Sequence, residues 1–209
     1  MKLLIFGATG PTGRQLVGQA VELGHEVTAF CRNPGDLDEV STRCRAVKGD
    51  INDAATIDAA MPGHDAVMSA LGVFKFRHNT IYSEGTRRII DSAKRFGVRR
   101  VVWMTALGVG DSKDQPPWVF RKIIAPLLLR SVYPEKERAE AMIMASGLDW
   151  TIVRPPGLTN GPKTGVYREW VGARPEKIEA RISRADVAHL MLRILAETKY
   201  LRLPVGMSY

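Results

Sequence analysis

The first thirteen residues of the chain, MKLLIFGATGPTG (1–13), decide its fold. Residues 3–6 form a short apolar run that ends at Gly7, which is typical of a strand buried on both faces of a parallel sheet. Glycines follow at positions 10 and 13, where they allow close approach of a ligand and close packing of a helix on the strand. A helix that begins near Gly10 leaves its first N–H groups without partners. We therefore expect this turn to bind a diphosphate.

The residues after the turn favour a dinucleotide site over a simple tight turn. An amphipathic helix is predicted over residues 14–23, and Pro11 suits its first turn because the N–H that proline lacks would have no partner there. A strand, a glycine-rich turn and a helix in this order form the context in which dinucleotides bind. The turn residues predicted to contact the cofactor are Gly7, Thr9, Gly10, Pro11, Thr12 and Gly13.

The glycine spacing is Gly-x-x-Gly-x-x-Gly, and GATGPTG (7–13) with this spacing resembles the atypical short-chain dehydrogenase/reductases. Within them, the chain resembles the NAD(P)H-binding group that includes biliverdin-IX-beta (flavin) reductase and NmrA-like proteins, and the resemblance extends along the whole chain. We expect a doubly wound, Rossmann-like α/β fold, with a mainly parallel sheet of about six to seven strands and helices on both faces. One domain (1–209) is expected, with a substrate-side region built from the loops around 74–82, 111–132 and 156–180.

The composition disfavours several other classes of protein. With 45% apolar and 25% charged residues, the chain is ordinary material for one globular domain. Its net charge of +8 is dispersed, and no basic patch with interleaved aromatic residues points to nucleic acid. We expect this charge to attract an anionic cofactor and an anionic substrate. Whether the chain forms oligomers or binds a regulatory protein stays open.

The sequence also bears on compartment and metals. No apolar run approaches the length of a membrane span and no signal sequence precedes the first strand, so we expect a cytoplasmic protein without a membrane partner. Cys31 and Cys44 form neither a disulfide framework nor a metal pattern, which suits a reducing compartment. The four histidines are scattered without ligand spacing, and we expect no metal.

The residues after the second predicted strand, 26–30, indicate which dinucleotide binds. A free ribose 2′-hydroxyl usually meets an Asp or Glu at this place, whereas a 2′-phosphate calls for an arginine. The chain has Arg32 here and no acidic residue before Asp36. Because a guanidinium can bind phosphate bidentately, we expect NADP(H) to be preferred over NAD(H). The alternative is that Arg32 is a solvated turn residue.

The resemblance implies further cofactor contacts. It places Asp50 and Ile51 beside the adenine, while Asn52 or Asp53 would cap the following helix. Prolines after the sixth predicted strand would form a rigid wall at the nicotinamide. The other residues implied in this way follow the fourth and sixth predicted strands: Ala70, Leu71, Gly72, Pro155, Pro156, Gly157 and Leu158.

The Ser-Tyr-Lys triad of ordinary short-chain dehydrogenases is incomplete in this sequence. Thr105 and Ala106 stand where the family has two serines, and Lys136 matches the family's lysine. The tyrosine expected four residues before Lys136 is Val132. Tyr133 is one residue out of register, which is about 100° around a helix. Carbonyl reduction is thereby disfavoured, because this tyrosine would pass the proton to the carbonyl.

We therefore interpret the chain as an NADPH-dependent reductase of a conjugated acceptor of the flavin, bilin or quinone type. Such an acceptor delocalises the hydride's electrons and can take its proton from water, and the resemblance implies the same chemistry. Thr105 and Lys136 are the candidate catalytic residues, with a surface pairing of Lys136 with Glu140 as the alternative. The main alternative function is a non-enzymatic, NmrA-like NADP(H)-binding redox sensor that acts through a protein partner. A sugar-nucleotide or isoflavone-type reductase is disfavoured by the short carboxyl-terminal region.

Two other segments carry predictions. The apolar segment 115–129 could be a lid over a flat substrate or a docking surface for a partner subunit. Trp118 and Phe120 are the candidates for stacking on the acceptor, although aromatic residues are more often part of a core. Ser183 and Asp186, three residues apart, predict a capped helix that packs on the sheet.

Overall fold

The computed structural model of the protein describes residues 1–37, 44–72, 80–118, 121–122, 127 and 129–209. Its strands are β1 (Lys2–Phe6), β2 (Glu26–Cys31), β3 (Arg45–Lys48), β4 (Ala66–Ser69), β5 (Arg100–Met104), β6 (Asp149–Arg154), β7 (Gly157–Thr159), β8 (Arg168–Trp170), β9 (Arg181–Ser183) and β10 (Leu203–Ser208). Its α-helices are α1 (Pro11–Glu22), α2 (Ala54–Ala60), α3 (Ile81–Arg95), α4 (Val132–Ala145) and α5 (Arg184–Leu195).

The central sheet has eight strands in the order β3-β2-β1-β4-β5-β6-β10-β8. Neighbouring strands are parallel except for β8, which is antiparallel to β10. Ile5 of β1 pairs with Ala29 of β2 on one side and with Met68 of β4 on the other. The chain therefore winds outward in both directions from β1, and sheets of this kind bind ligands beyond the carboxyl ends of the strands at that point.

Helices cover both faces of this sheet, because successive side chains of a strand point to opposite faces. In β1, Leu3 and Ile5 pack in the core shared with α1 and α5, whereas Leu4 and Phe6 pack in the core shared with α2, α3 and α4. All four side chains are fully buried. The predicted doubly wound, mainly parallel fold is confirmed.

The sheet has more strands than the six to seven that we expected. Strand β10 contains Pro204 and Gly206, which are residues that usually interrupt strands, yet it lies between β6 and β8. Gly206 fits there because a Cβ at this position would lie 2.3 Å from the Trp170 ring of β8. Contact with the neighbouring strands thus overrides local propensity.

The entry to α5 is built as the sequence predicts. Ser183 precedes the helix, and its hydroxyl accepts a hydrogen bond of 2.9 Å from the backbone N–H of Asp186. Strands β7 and β9 pair in a small separate sheet immediately before this helix. The residues directly before α5 are therefore held in place by the pairing of β9 with β7.

Two further features concern only the part of the chain that the structure describes. There, no group of three or more His, Cys, Asp or Glu side chains could hold a metal ion. None of the helices there is long and apolar enough to cross a bilayer.

Candidate active site

A cleft of about 400 Å³ opens at the carboxyl ends of the parallel strands, and we refer to it as the cleft. Its walls come from the residues that follow β1 to β6 and from the beginnings of α1, α3 and α5. Lys136 of α4 completes the wall near β5. This location is the usual ligand site of a doubly wound sheet.

Most of the residues predicted as site residues line the cleft. They are Gly7, Thr9, Gly10, Pro11, Thr12, Arg32, Asp50, Ile51, Ala70, Leu71, Gly72, Thr105, Lys136, Pro155, Pro156 and Leu158. Gly13, Gly157 and Trp118 are described but do not belong to the lining. Phe120 lies outside the described residues. Trp118 is 61% exposed, so the structure gives its proposed stacking role no support.

The glycine-rich turn is as tight as the sequence predicts. Gly7 has φ +74°, and a Cβ there would lie 2.7 Å from the backbone of Ala70, the residue that follows β4. A Cβ at Gly13 would lie 2.0 Å from the Gly7 carbonyl oxygen, so Gly13 holds α1 against the turn from behind. Gly10 caps α1 through its backbone alone, and Pro11 is the first helical residue. The first N–H groups of α1 thus open toward the cleft without a side-chain cap, as an anion site requires.

The residues beyond β2 and β3 form one end of the cleft. Arg32 is exposed at its rim, directly after Cys31 of β2. Asp53, and not Asn52, caps α2 by accepting a hydrogen bond from the Ala55 N–H. The Asp50 Oδ1 accepts hydrogen bonds from the backbone and side chain of Asn52 at 2.9 and 3.0 Å.

Lys136 and Thr105 meet in the wall of the cleft near β5. The Lys136 ammonium donates a hydrogen bond of 2.9 Å to the Thr105 carbonyl oxygen and lies 5.2 Å from the centroid of the Tyr82 ring. Burial lowers the pKa of Lys136 to about 8, although the negative charge of Glu140 opposes the shift. An amine with this pKa can change its protonation state near neutral pH, which suits proton transfer.

The partners of Glu140 are Thr105 and Arg154 rather than Lys136, with which a surface pair was the alternative. Its side chain is 2% exposed and accepts a hydrogen bond of 2.5 Å from the Thr105 hydroxyl. Arg154, 4% exposed, donates to both carboxylate oxygens at 3.1 and 2.6 Å and also pairs with Asp111 at 2.7 Å. Burial alone would lower the pKa of Arg154, but its bonds to Glu140 and Asp111 raise it above the ordinary value. The arginine is therefore charged in this buried pair.

The pair fixes the direction of the Thr105 hydroxyl. Since a hydroxyl has one proton and Glu140 holds it, the remaining lone pairs of the oxygen can only accept hydrogen bonds. The sequence pointed to Thr105 but missed Glu140 and Arg154 as its support. A Glu four residues after Lys136 was the available signal, but the arginine that binds it lies on β6 and is brought there by the fold.

The two tyrosines near α4 occupy different places. The Tyr133 hydroxyl donates a hydrogen bond of 3.0 Å to the Leu107 carbonyl, and its ring lines a second cavity of about 350 Å³ with Gly108 and Pro116. Burial raises the pKa of Tyr133 to about 12. Tyr82, which the sequence did not single out, lines the cleft at the start of α3.

Arg184 is a charged cleft residue that the sequence did not single out. It is the first residue of α5 and lines the cleft on the side of Pro156 and Leu158. Its Nη1 donates a hydrogen bond of 2.6 Å to the Asn160 side-chain oxygen. The sequence shows only that Arg184 lies beside a helix cap. The pairing of β7 with β9, which the sequence does not reveal, brings this residue to the cleft.

Comparison with protein families matches residues 7–198 to a model described as NAD(P)H-binding. The chain belongs to this NAD(P)H-binding family. The suspected relationship to atypical short-chain dehydrogenase/reductases is thereby confirmed, and the matched range spans all elements from the glycine-rich turn to the end of α5.

Two curated relatives of this NAD(P)H-binding protein differ in the activity that their names state. It is 28% identical to an uncharacterized sugar epimerase of Bacillus subtilis, over 94% of this chain and 89% of that protein. It is 27% identical to the (4-alkanoyl-5-oxo-2,5-dihydrofuran-3-yl)methyl phosphate reductase of Streptomyces griseus, over 94% of this chain and 64% of that protein.

Solved structures share its fold closely. An anaerobilin reductase from Escherichia coli aligns over 100% of this chain and 97% of its own, with a TM-score of 0.83 and 24% identity. A wide-type short-chain dehydrogenase/reductase from Veillonella parvula, solved with NADP, aligns over 100% and 94%, with a TM-score of 0.85 and 19% identity.

Proposed function

We propose that this protein is an NADPH-dependent reductase that transfers hydride to a conjugated acceptor of the flavin, bilin or quinone type. The observation that carries the proposal is the contact between Lys136 and Thr105 in the wall of the cleft near β5, without a tyrosine in the expected position. The Lys136 ammonium is bonded to the Thr105 carbonyl oxygen. Tyr133 is the residue next to the expected tyrosine position. Its hydroxyl is bonded to the Leu107 carbonyl, and its ring lines the second cavity.

The residues around the glycine-rich turn fit a dinucleotide. The positions of Gly7 and Gly13 leave no room for a Cβ, so the backbone can approach a diphosphate at the start of α1. Arg32 would bind the 2′-phosphate at the rim, and Asp50 and Ile51 would contact the adenine. Pro155, Pro156 and Leu158 would form the wall at the nicotinamide end. The preference for NADP(H) over NAD(H) rests on Arg32.

Thr105 and Lys136 would act at the reacting end. Bound NADPH supplies the hydride. The Thr105 oxygen would accept a hydrogen bond from an amide group, because its own proton is held by Glu140. The Lys136 ammonium, fixed by the Thr105 carbonyl, would donate a hydrogen bond to the acceptor or the ribose and hold a proton there. A conjugated acceptor needs no stronger acid, so positioning of the two ring systems accounts for most of the catalysis.

Two named relatives support an acceptor of this kind. The anaerobilin reductase is named for a bilin, and it shares the fold. The Streptomyces enzyme is named as the reductase of a dihydrofuran that carries oxo and alkanoyl groups and a methyl phosphate. The two free cysteines are compatible with a cytoplasmic location, which is part of the same proposal.

The direct test is to mix the purified protein with NADPH and FMN and to follow the absorbance at 340 nm. Oxidation of NADPH that depends on both the protein and the flavin supports the reductase. Tight NADPH binding by calorimetry, without turnover of FMN, biliverdin or a quinone, would contradict it. That result would favour the alternative, a non-enzymatic sensor that acts through a protein partner.

A further inference from the structure

The charges of the cleft have a pattern that the cofactor alone does not explain. Among the described lining residues, the charged side chains are Arg32, Asp50, Lys136 and Arg184. Arg32 and Asp50 follow β2 and β3 at one end, and Lys136 lies near β5. Arg184 donates to the carbonyl of Leu158, which follows β6, and β6 lies four strand spacings, about 19 Å, from β2. A cation at that end is far from the 2′-phosphate that Arg32 would bind.

Arg184 differs in its partners from two other arginines of the described chain, Arg154 and Arg193. Arg154 and Arg193 pair with Glu140 and Glu169, respectively. Within the described residues, Arg184 makes no ion pair, and its Nη1 donates only to neutral oxygens, those of Asn160 at 2.6 Å and Leu158 at 3.5 Å. Several N–H donors of its guanidinium fork are therefore available, and this fork matches the oxygens of a phosphate or carboxylate.

The support around Arg184 holds it in place. Ser183 and Asp186 on either side of it are fully buried. Asp186 accepts hydrogen bonds from the backbone N–H groups of Thr164 and Gly165 at 2.9 and 2.8 Å and from the Tyr209 hydroxyl at 2.7 Å. Burial would raise the pKa of Asp186, but these hydrogen bonds lower it below its ordinary value, so the carboxylate is ionised. The start of α5 and the loop that contains Asn160 are thus tied together.

We propose that Arg184 binds an anionic group, a phosphate or a carboxylate, on the acceptor and thereby determines which acceptors are reduced. This inference rests on the proposed reductase function and adds a subsite to it. The acceptor's conjugated ring lies against the nicotinamide wall, and its charged substituent reaches the guanidinium at the β6 end of the cleft. The Asn160 side chain orients the guanidinium for this contact.

Pairs of acceptors that share a ring system and differ in charge test the subsite. FMN and riboflavin differ by a phosphate, and biliverdin and its dimethyl ester differ by two carboxylates. We expect the wild-type kcat/KM to favour the charged member of at least one pair by about tenfold or more, the strength of a charge-assisted hydrogen bond. If kcat/KM differs only within the flavin pair, the group that Arg184 binds is a phosphate. If it differs only within the bilin pair, that group is a carboxylate.

The substitution Arg184→Ala should lower kcat/KM for the charged acceptor toward that for the neutral one and so remove this discrimination. Arg181→Ala is the matched control, since Arg181 lies on β9, is exposed and pairs with Glu179 outside the cleft. Equal rates for charged and neutral acceptors in the wild-type protein would overturn the inference and leave the reductase function intact. A raised KM for NADPH in Arg184→Ala, with acceptor discrimination unchanged, would also overturn it, because the arginine would then serve the cofactor.

A binding measurement separates the subsite from turnover. Protein saturated with NADP⁺ is titrated into FMN or riboflavin, and flavin fluorescence reports the fraction bound. We expect FMN to bind more tightly than riboflavin, and the difference to be lost in Arg184→Ala but kept in Arg181→Ala. If neither flavin nor bilin is reduced, this difference still supports the anion subsite. Equal binding of FMN and riboflavin, together with equal binding of biliverdin and its dimethyl ester followed by absorbance, refutes the subsite.

Discussion

Replacement of Glu140 by Gln is the sharpest test of the interior of the site. The change keeps the size of the side chain and removes its charge. Arg154 is then left 4% exposed with Asp111 as its remaining anionic partner, and the Asp111 side chain is 65% exposed. The Thr105 hydroxyl loses a carboxylate acceptor at 2.5 Å.

The expected cost follows from the burial of both partners. Removal of one member of a buried ion pair costs about 3 to 5 kcal/mol, because the other charge stays buried without compensation. Asp111 still contacts Arg154, and glutamine can still accept hydrogen bonds, so we expect the lower end, about 3 kcal/mol. For a chain of 209 residues, this corresponds to a fall in Tm of roughly 6 to 12 °C.

Urea unfolding followed by circular dichroism measures the change in the free energy of unfolding. The matched control is Glu137→Gln on the same helix, whose pair with Lys113 has side chains 62% and 45% exposed. We expect the control to cost less than about 1 kcal/mol. Equal losses in the two variants would show that the Glu140–Arg154 pair contributes no more than a surface pair, and the argument from burial would be wrong.

Three further predictions concern the cofactor and the proton. Arg32→Ala should raise the KM for NADPH by about tenfold or more and leave that for NADH unchanged, and an unaltered preference in steady-state assays would remove Arg32 as the determinant. Gly13→Ala should abolish NADPH binding by calorimetry because its Cβ would lie 2.0 Å from the Gly7 carbonyl, whereas Gly18→Ala, with nothing within 4 Å, should bind normally. Since Lys136 donates only when protonated and its pKa is about 8, kcat should fall as the pH rises through about 8, and this inflection should be absent in Lys136→Ala. A pH profile shared by both proteins, or a loss of less than a few-fold in Lys136→Ala with cofactor affinity intact, would exclude the catalytic role.

The sequence by itself determined the glycine-rich turn and the strand and helix on either side of it. A buried strand, a turn with three glycines and an amphipathic helix are local features. The positive φ of Gly7 and the contact of Gly13 with the Gly7 carbonyl both arise within the turn, although the backbone of Ala70 also restricts position 7. The same holds for the Ser183 cap, where donor and acceptor are three residues apart. The strand ends after β1 to β6 could be placed along one edge because parallel strands share a direction.

Only the tertiary structure decided the rest. Strand β10 has a proline and a glycine and exists because β6 and β8 flank it. Glu140 meets Arg154, and Arg184 enters the cleft, through contacts between elements that are distant in sequence. Local pattern fixes the backbone of a turn, but the partner of a buried charge depends on which elements the sheet order brings together, and that order is a property of the whole chain.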